Sequence, residues 1–80
     1  MHELSLTRSI VAIVCEAAGR CRVHKVTLEI GRLSCVTPEA IEFCFDAVTQ
    51  GTLAEGARLD IRRTDGEELN VTTMEIEETS

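Results

Sequence analysis

Val23-His24-Lys25-Val26-Thr27-Leu28-Glu29-Ile30 alternates apolar and polar side chains, and the fold is read outward from it. Val26, Leu28 and Ile30 fall on one face, and Lys25, Thr27 and Glu29 on the other. A period of two is the mark of a half-buried β-strand, because successive side chains point to opposite sides of the pleat. His24 belongs to the Val26 face near the start of the strand. It reads as a partly covered strand-end residue rather than a ligand.

Upstream, residues 5–18 carry the spacing of a helix, with Leu6, Ile10, Ile13, Val14 and Ala17 on one apolar face and Arg8 and Glu16 off it. Ser5 is the expected N-cap. Gly19 can take the left-handed conformation that ends a helix, and Arg20 and Arg22 follow where positive charge suits the dipole. Downstream, residues 31–36 form a loop. Thr37 then caps a second helix that has Pro38 in its first position, where a missing N–H costs nothing. Ile41, Cys44, Phe45 and Val48 make its apolar stripe, and Gly51 ends it. Residues 57–63 form a second strand, Leu59 and Ile61 inward, Asp60 and Arg62 outward. Asp65-Gly66 signals a tight turn. Residues 68–77 form a third strand whose apolar phase slips at Thr72-Thr73, from Leu69 and Val71 to Met74 and Ile76. The slip implies either a β-bulge or a strand covered on both faces for part of its length.

The order α-β-α-β-β predicts an α+β fold, a two-layer domain spanning residues 1–80 with a three-stranded mixed sheet and two helices on one face. The helical connection lets the first two strands run parallel. The Asp-Gly link makes the second and third antiparallel if they pair directly. The open face and edges of so small a sheet invite a homodimer, edge-paired or swapped.

Composition removes several function classes. The chain has 14 acidic and 8 basic residues, a net charge of −6, and no basic run longer than Arg62-Arg63, so a phosphate-backbone binder is not expected and no nucleic acid partner is implied. Phe43 and Phe45 are the only aromatics, too few for a base-stacking platform. No apolar run approaches the roughly 18 residues of a membrane span. The start lacks the basic leader of a secretory signal, so a reducing, cytoplasmic setting is expected. Cys15, Cys21, Cys35 and Cys44 are then free thiols; with separations of 6, 14 and 9 they contain no C-x-x-C pair. An enzyme is the weakest reading. There is no Ser/His/Asp set and no Gly-rich phosphate loop, and the Cys21/His24 pair has no third group to orient it.

Met1-His2-Glu3 is the stretch that carries chemistry. A free terminal amine and the His2 imidazole are nitrogen donors, and the peptide nitrogen between them becomes a third if a metal displaces its proton. Five- and six-membered chelate rings then close in one plane, which suits Ni(II) or Cu(II) and not tetrahedral Zn(II).

With these elements placed, the chain resembles the HypA/HybF family of nickel-insertion accessory proteins. The resemblance is carried by Met1-His2-Glu3-Leu4-Ser5-Leu6, by Val26-Thr27-Leu28-Glu29-Ile30-Gly31-Arg32-Leu33-Ser34 and by Gly51-Thr52-Leu53-Ala54-Glu55-Gly56-Ala57, in that order along the chain. It implies a Ni(II) site with His2 as the side-chain ligand and Met1 and Glu3 giving backbone nitrogens. It also implies a nickel-handling GTPase partner and a hydrogenase large-subunit precursor, or in some organisms urease, as destination. Some relatives supply a carboxylate just before helix two. The aligned place here is Thr37, which has none, and Glu39 and Glu42 read as solvated first-turn residues. The family's zinc domain, with two C-x-x-C pairs, is missing between about residues 64 and 65, so no zinc is expected. The competing expectation is an interaction domain that binds no metal usefully and self-associates.

Overall fold

The computed structural model describes residues 3–77. Helix α1 spans Glu3–Ala18, strand β1 Val23–Gly31, helix α2 Pro38–Val48, strand β2 Arg58–Thr64 and strand β3 Leu69–Ile76, with one 3₁₀ turn at Arg32–Ser34 between β1 and α2. The α+β class, the element order and the three-stranded mixed sheet are as expected. β1 is the central strand, parallel to β2 and antiparallel to β3. α1 packs along α2 and also meets β1 and β3, while α2 lies over β2. Val26, Leu28 and Ile30 of β1 are sealed beneath Ile41 and Phe45 of α2 and Ile10, Val11 and Val14 of α1. Full burial of side chains this large stabilises by about 1.5–3 kcal/mol each.

Three expectations are corrected. α1 already includes Glu3, so Ser5 lies inside the helix and caps nothing. Its buried stripe is Thr7, Ile10, Val11, Val14 and Ala18, leaving Ile13 59% exposed and Ala17 on the surface. The expected and observed stripes share Ile10 and Val14 and differ by a small rotation of the helix. Thr7 can enter the core because its hydroxyl donates to the Glu3 carbonyl at 2.6 Å, so no polar group is left unpaired.

His24 does not share the Val26 face. The register with β3 skips a residue between Val23 and Lys25, so Val23 and Val26 are both buried while His24 turns outward, 3.5 Å from the Glu77 carboxylate. A bulge here moves one side chain to the opposite face without disturbing the rest of the strand. The second irregularity does fall where the apolar phase slips. Thr27 pairs with Thr73 but Leu28 pairs with Val71, which leaves Thr72 as the extra residue, its hydroxyl donating to the Thr27 carbonyl at 3.3 Å.

The Asp65-Gly66 turn joins strands that do not pair with each other. β2 and β3 flank β1, so residues 65–68 must cross the end of the central strand. The crossing is held by Gly31 N–H donating to the Glu68 carbonyl at 2.7 Å and by Leu33 N–H donating to the Gly66 carbonyl at 2.9 Å. Gly31 is required there. A Cβ on it would collide with the Gly66 carbonyl and come within 2.9 Å of the Glu67 nitrogen. A central strand with two partners satisfies both of its edges, whereas a β2-β3 hairpin would have left β1, the most apolar strand, on an outer edge.

Candidate metal centre

The Glu3 carboxylate lies where α1 and α2 begin together. Its Oε2 accepts a hydrogen bond from the backbone N–H of Thr37 at 3.4 Å, a contact between residues 34 apart in sequence. Thr37 is the N-cap of α2, as expected, but its side chain makes no capping bond. Its carbonyl accepts from Ala40 and Ile41, both at 3.1 Å, and starts the helix, while its own N–H is answered by Glu3. A carboxylate suits the N-terminal end of a helix, where unpaired N–H groups carry partial positive charge. The Glu3 carboxyl is accordingly lowered to about 2, chiefly by hydrogen bonds to its charged form, the Thr37 N–H among them. Thr7 ties the Glu3 carbonyl into the first turn of α1. Both the backbone and the side chain of Glu3 are therefore held, and the residue that follows His2 has a fixed place against α2.

Of the three residues expected to bind metal, Glu3 is placed in this way, and Met1 and His2 lie outside the described residues. Glu39 and Glu42 are exposed on α2, and the α2 group that reaches Glu3 is an amide rather than a carboxylate. His24 is engaged with Glu77 at the far end of β1. None of the four free thiols is fully buried. Cys15, Cys21 and Cys44 are half-buried and Cys35 is exposed, so the packing role expected of Cys44 is only partial. Among the described residues no three His, Cys, Asp or Glu side chains converge as a metal cluster would. Two features had no local signal in the sequence. One is the Glu3–Thr37 contact, which depends on how the two helices dock. The other is the left-handed backbone of Cys35, at φ 64°, which turns the chain from the 3₁₀ segment into α2.

Comparison with known proteins identifies the family. The family described as "Hydrogenase/urease nickel incorporation, metallochaperone, hypA" matches residues 1–69. Two similar curated relatives are the hydrogenase maturation factors HypA of Geobacter metallireducens and Trichodesmium erythraeum. The first is 61% identical over 66 residues, covering 82% of this chain and 60% of the relative. The second is 58% identical over 66 residues, covering 82% of this chain and 58% of the relative. The chain thus spans about three fifths of the length of the relatives it matches. In fold it is similar to the solution structure of the Ni metallochaperone HypA from Helicobacter pylori, with a TM-score of 0.73 and 23% identity over 91% of this chain and 72% of that one. A match over residues 1–69 together with relatives near 60% identity settles membership: the chain belongs to the HypA family of hydrogenase/urease nickel incorporation proteins.

Proposed function

We propose that this chain is the nickel-carrying unit of a metallochaperone that serves hydrogenase maturation, with Ni(II) as its cargo. The imidazole of His2, the free amine of Met1 and backbone nitrogen from the Met1-His2-Glu3 segment are the donors. The observation that carries the reading is the fixed position of Glu3. A flexible tripeptide must give up backbone freedom to wrap a metal, about 1–2 kcal/mol per residue. Here the third residue is already anchored in α1 and against the Thr37 amide. Family membership over residues 1–69 supports the choice of nickel.

In this reading Thr37 supplies no carboxylate, so the ligand set is built from nitrogen, and a flat four-coordinate d⁸ ion is the expected product. Binding strengthens as pH rises, because the imidazole and the amine, with ordinary pKa values near 6.5 and 8, must lose their protons. The segment that relatives insert between β2 and the last strand is replaced by the short crossing at residues 65–68. The nickel unit then stands without a zinc unit and without C-x-x-C pairs. A nickel-handling GTPase and a hydrogenase large-subunit precursor, or urease in a different host, are its donor and acceptor proteins in the cytoplasm.

The test is titration of Ni(II) into protein with an unblocked Met1, beside His2→Ala and beside a form extended by residues ahead of Met1. One ion per chain with a planar, low-spin absorption spectrum is expected for the first. Both altered forms should lose it. Equal binding by all three would place the site elsewhere.

A further inference from the structure

We infer that the groove between α1 and β3 receives an amphipathic helix of a different protein, one whose apolar stripe is bordered by lysine or arginine. On α1, Leu6, Ile10, Ile13 and Ala17 recur at i, i+4, i+7 and i+11 and form one apolar ridge. Packing within the chain covers only part of that ridge. Ile10 is in the core, but Leu6 is half-buried, Ala17 is exposed and Ile13 is 59% exposed. The helix carries a wider apolar arc than its own domain uses. Beside it, Leu69 and Val71 of β3 form the second wall of a groove of about 380 Å³ floored by Leu6, Ile10 and Ile13. From Leu6 to Ala17 the ridge runs about 16 Å, or about three turns. That is the span over which a docked helix presents anchors at i, i+3 or i+4, and i+7.

The strand that forms the second wall selects a helix over an extended peptide. β3 is an edge strand, hydrogen-bonded within the sheet to β1 alone. An extended peptide would have to continue the sheet along that edge. The extra residue at Thr72 breaks the ladder just beyond Val71 and leaves only residues 69–71 in register beside the groove. A helix makes its backbone hydrogen bonds internally and asks nothing of the edge.

Charge decides the sign of the partner. From Asp65 to Glu77 the chain holds five carboxylates and no lysine or arginine. Among the described residues, Glu67, Glu68 and Glu75 form no ion pair. Neither does Glu16, which borders the ridge in a shallow depression with Ile13 and Ala17. Arg8 is the one cation of α1, and at five positions from Ile13 it lies on the far side of the helix. A helix flanked by lysine or arginine therefore meets carboxylates along both walls, whereas a second copy of this chain would bring like charge to like. The apolar anchor sets the strength and the rim sets the preference for positive charge. This docking is independent of the nickel reading.

The test is fluorescence anisotropy of the whole chain with three designed peptides of equal length. One has leucines at helical spacing and lysines elsewhere. The second replaces the lysines with glutamates. The third keeps leucine and lysine but alternates them as a strand former would. The first should bind one to one and weaken as salt rises, and the other two should bind at least about tenfold more weakly. Ile13→Lys keeps a good helix former but sets a cation in the groove, and should weaken the first peptide about tenfold or more. Phe43→Ser, at a residue of α2 that is 78% exposed and lies outside the groove, should leave it unchanged. Far-UV circular dichroism verifies folding. Should Ile13→Lys unfold, Ile13→Gln takes its place, with weakening again expected. Failure of the first peptide to bind, binding unchanged by the Ile13 variant or equally weakened by Phe43→Ser, or binding as tight by the glutamate or the alternating peptide would each overturn the inference.

Discussion

Gly31→Ala should be among the most damaging single-methyl additions in this protein, for a reason unrelated to backbone freedom. Gly31 has φ −70° and ψ 144°, a conformation any residue adopts. The cost is steric. The added Cβ would meet the Gly66 carbonyl and the Glu67 nitrogen, which are backbone atoms and cannot rotate away. To reach ordinary van der Waals separation, near 3.5–4 Å, the crossing must retreat by roughly an ångström or more. It is held by the hydrogen bonds Gly31 N–H to Glu68 O at 2.7 Å and Leu33 N–H to Gly66 O at 2.9 Å, and both lengthen if it moves. Overpacking costs about 1–3 kcal/mol and each weakened bond up to about 1 kcal/mol, for a total of about 2–4 kcal/mol. A chain of this size has about 4–12 kcal/mol of stability altogether. Urea unfolding should show the midpoint fall by about 1–3 M at unchanged slope. Gly19→Ala is the control. Gly19 has φ +68° and open space around it, so its alanine carries only a conformational cost of about 1–2 kcal/mol. If Gly31→Ala is no worse than Gly19→Ala, the argument that the crossing is packed against the end of β1 is wrong.

Four further outcomes are expected. Glu3→Gln keeps every backbone nitrogen but gives up the charged acceptor for Thr37. It should bind one nickel per chain with reduced affinity by calorimetry, and unchanged affinity would mean that the contact positions nothing. Because the Glu3 carboxyl is lowered to about 2, its contribution to folding is fully present above the ordinary carboxylate range and is lost as pH falls through 2. The stability gap between wild type and Glu3→Gln should close over that window, as followed by thermal unfolding. Phe45→Ala empties the centre of the core, where Phe45 is 2% exposed, and should cost about 3–5 kcal/mol in denaturant titration. Treatment with a strong chelator should leave the melting temperature unchanged, since no metal cluster joins the described elements; a fall of several degrees would reveal a structural metal.

Much of this protein is legible before it folds, wherever a short-range rule decides. The alternation through Val26, Leu28 and Ile30 specifies the central strand and its buried face. Pro38 after Thr37 places the start of α2 to the residue. The phase slip at Thr72-Thr73 locates a bulge, because side chains on a strand must change face when one residue is added.

What the sequence could not decide depends on which surfaces meet. The apolar pattern of α1 admits two adjacent stripes, and only docking against α2 chose the one with Thr7 and Ala18 inward and Ile13 outward. The Asp-Gly signal specifies a turn but not its neighbours, and strand order was settled by the need to give β1 a partner on both sides. His24 left its expected face through a bulge that exists only because β3 pairs with β1. The bond between Glu3 and Thr37 joins two helix starts 34 residues apart, a distance over which no local spacing carries information. Residue type and period act within a few positions along the chain. Partnership between elements is a property of the packed layers.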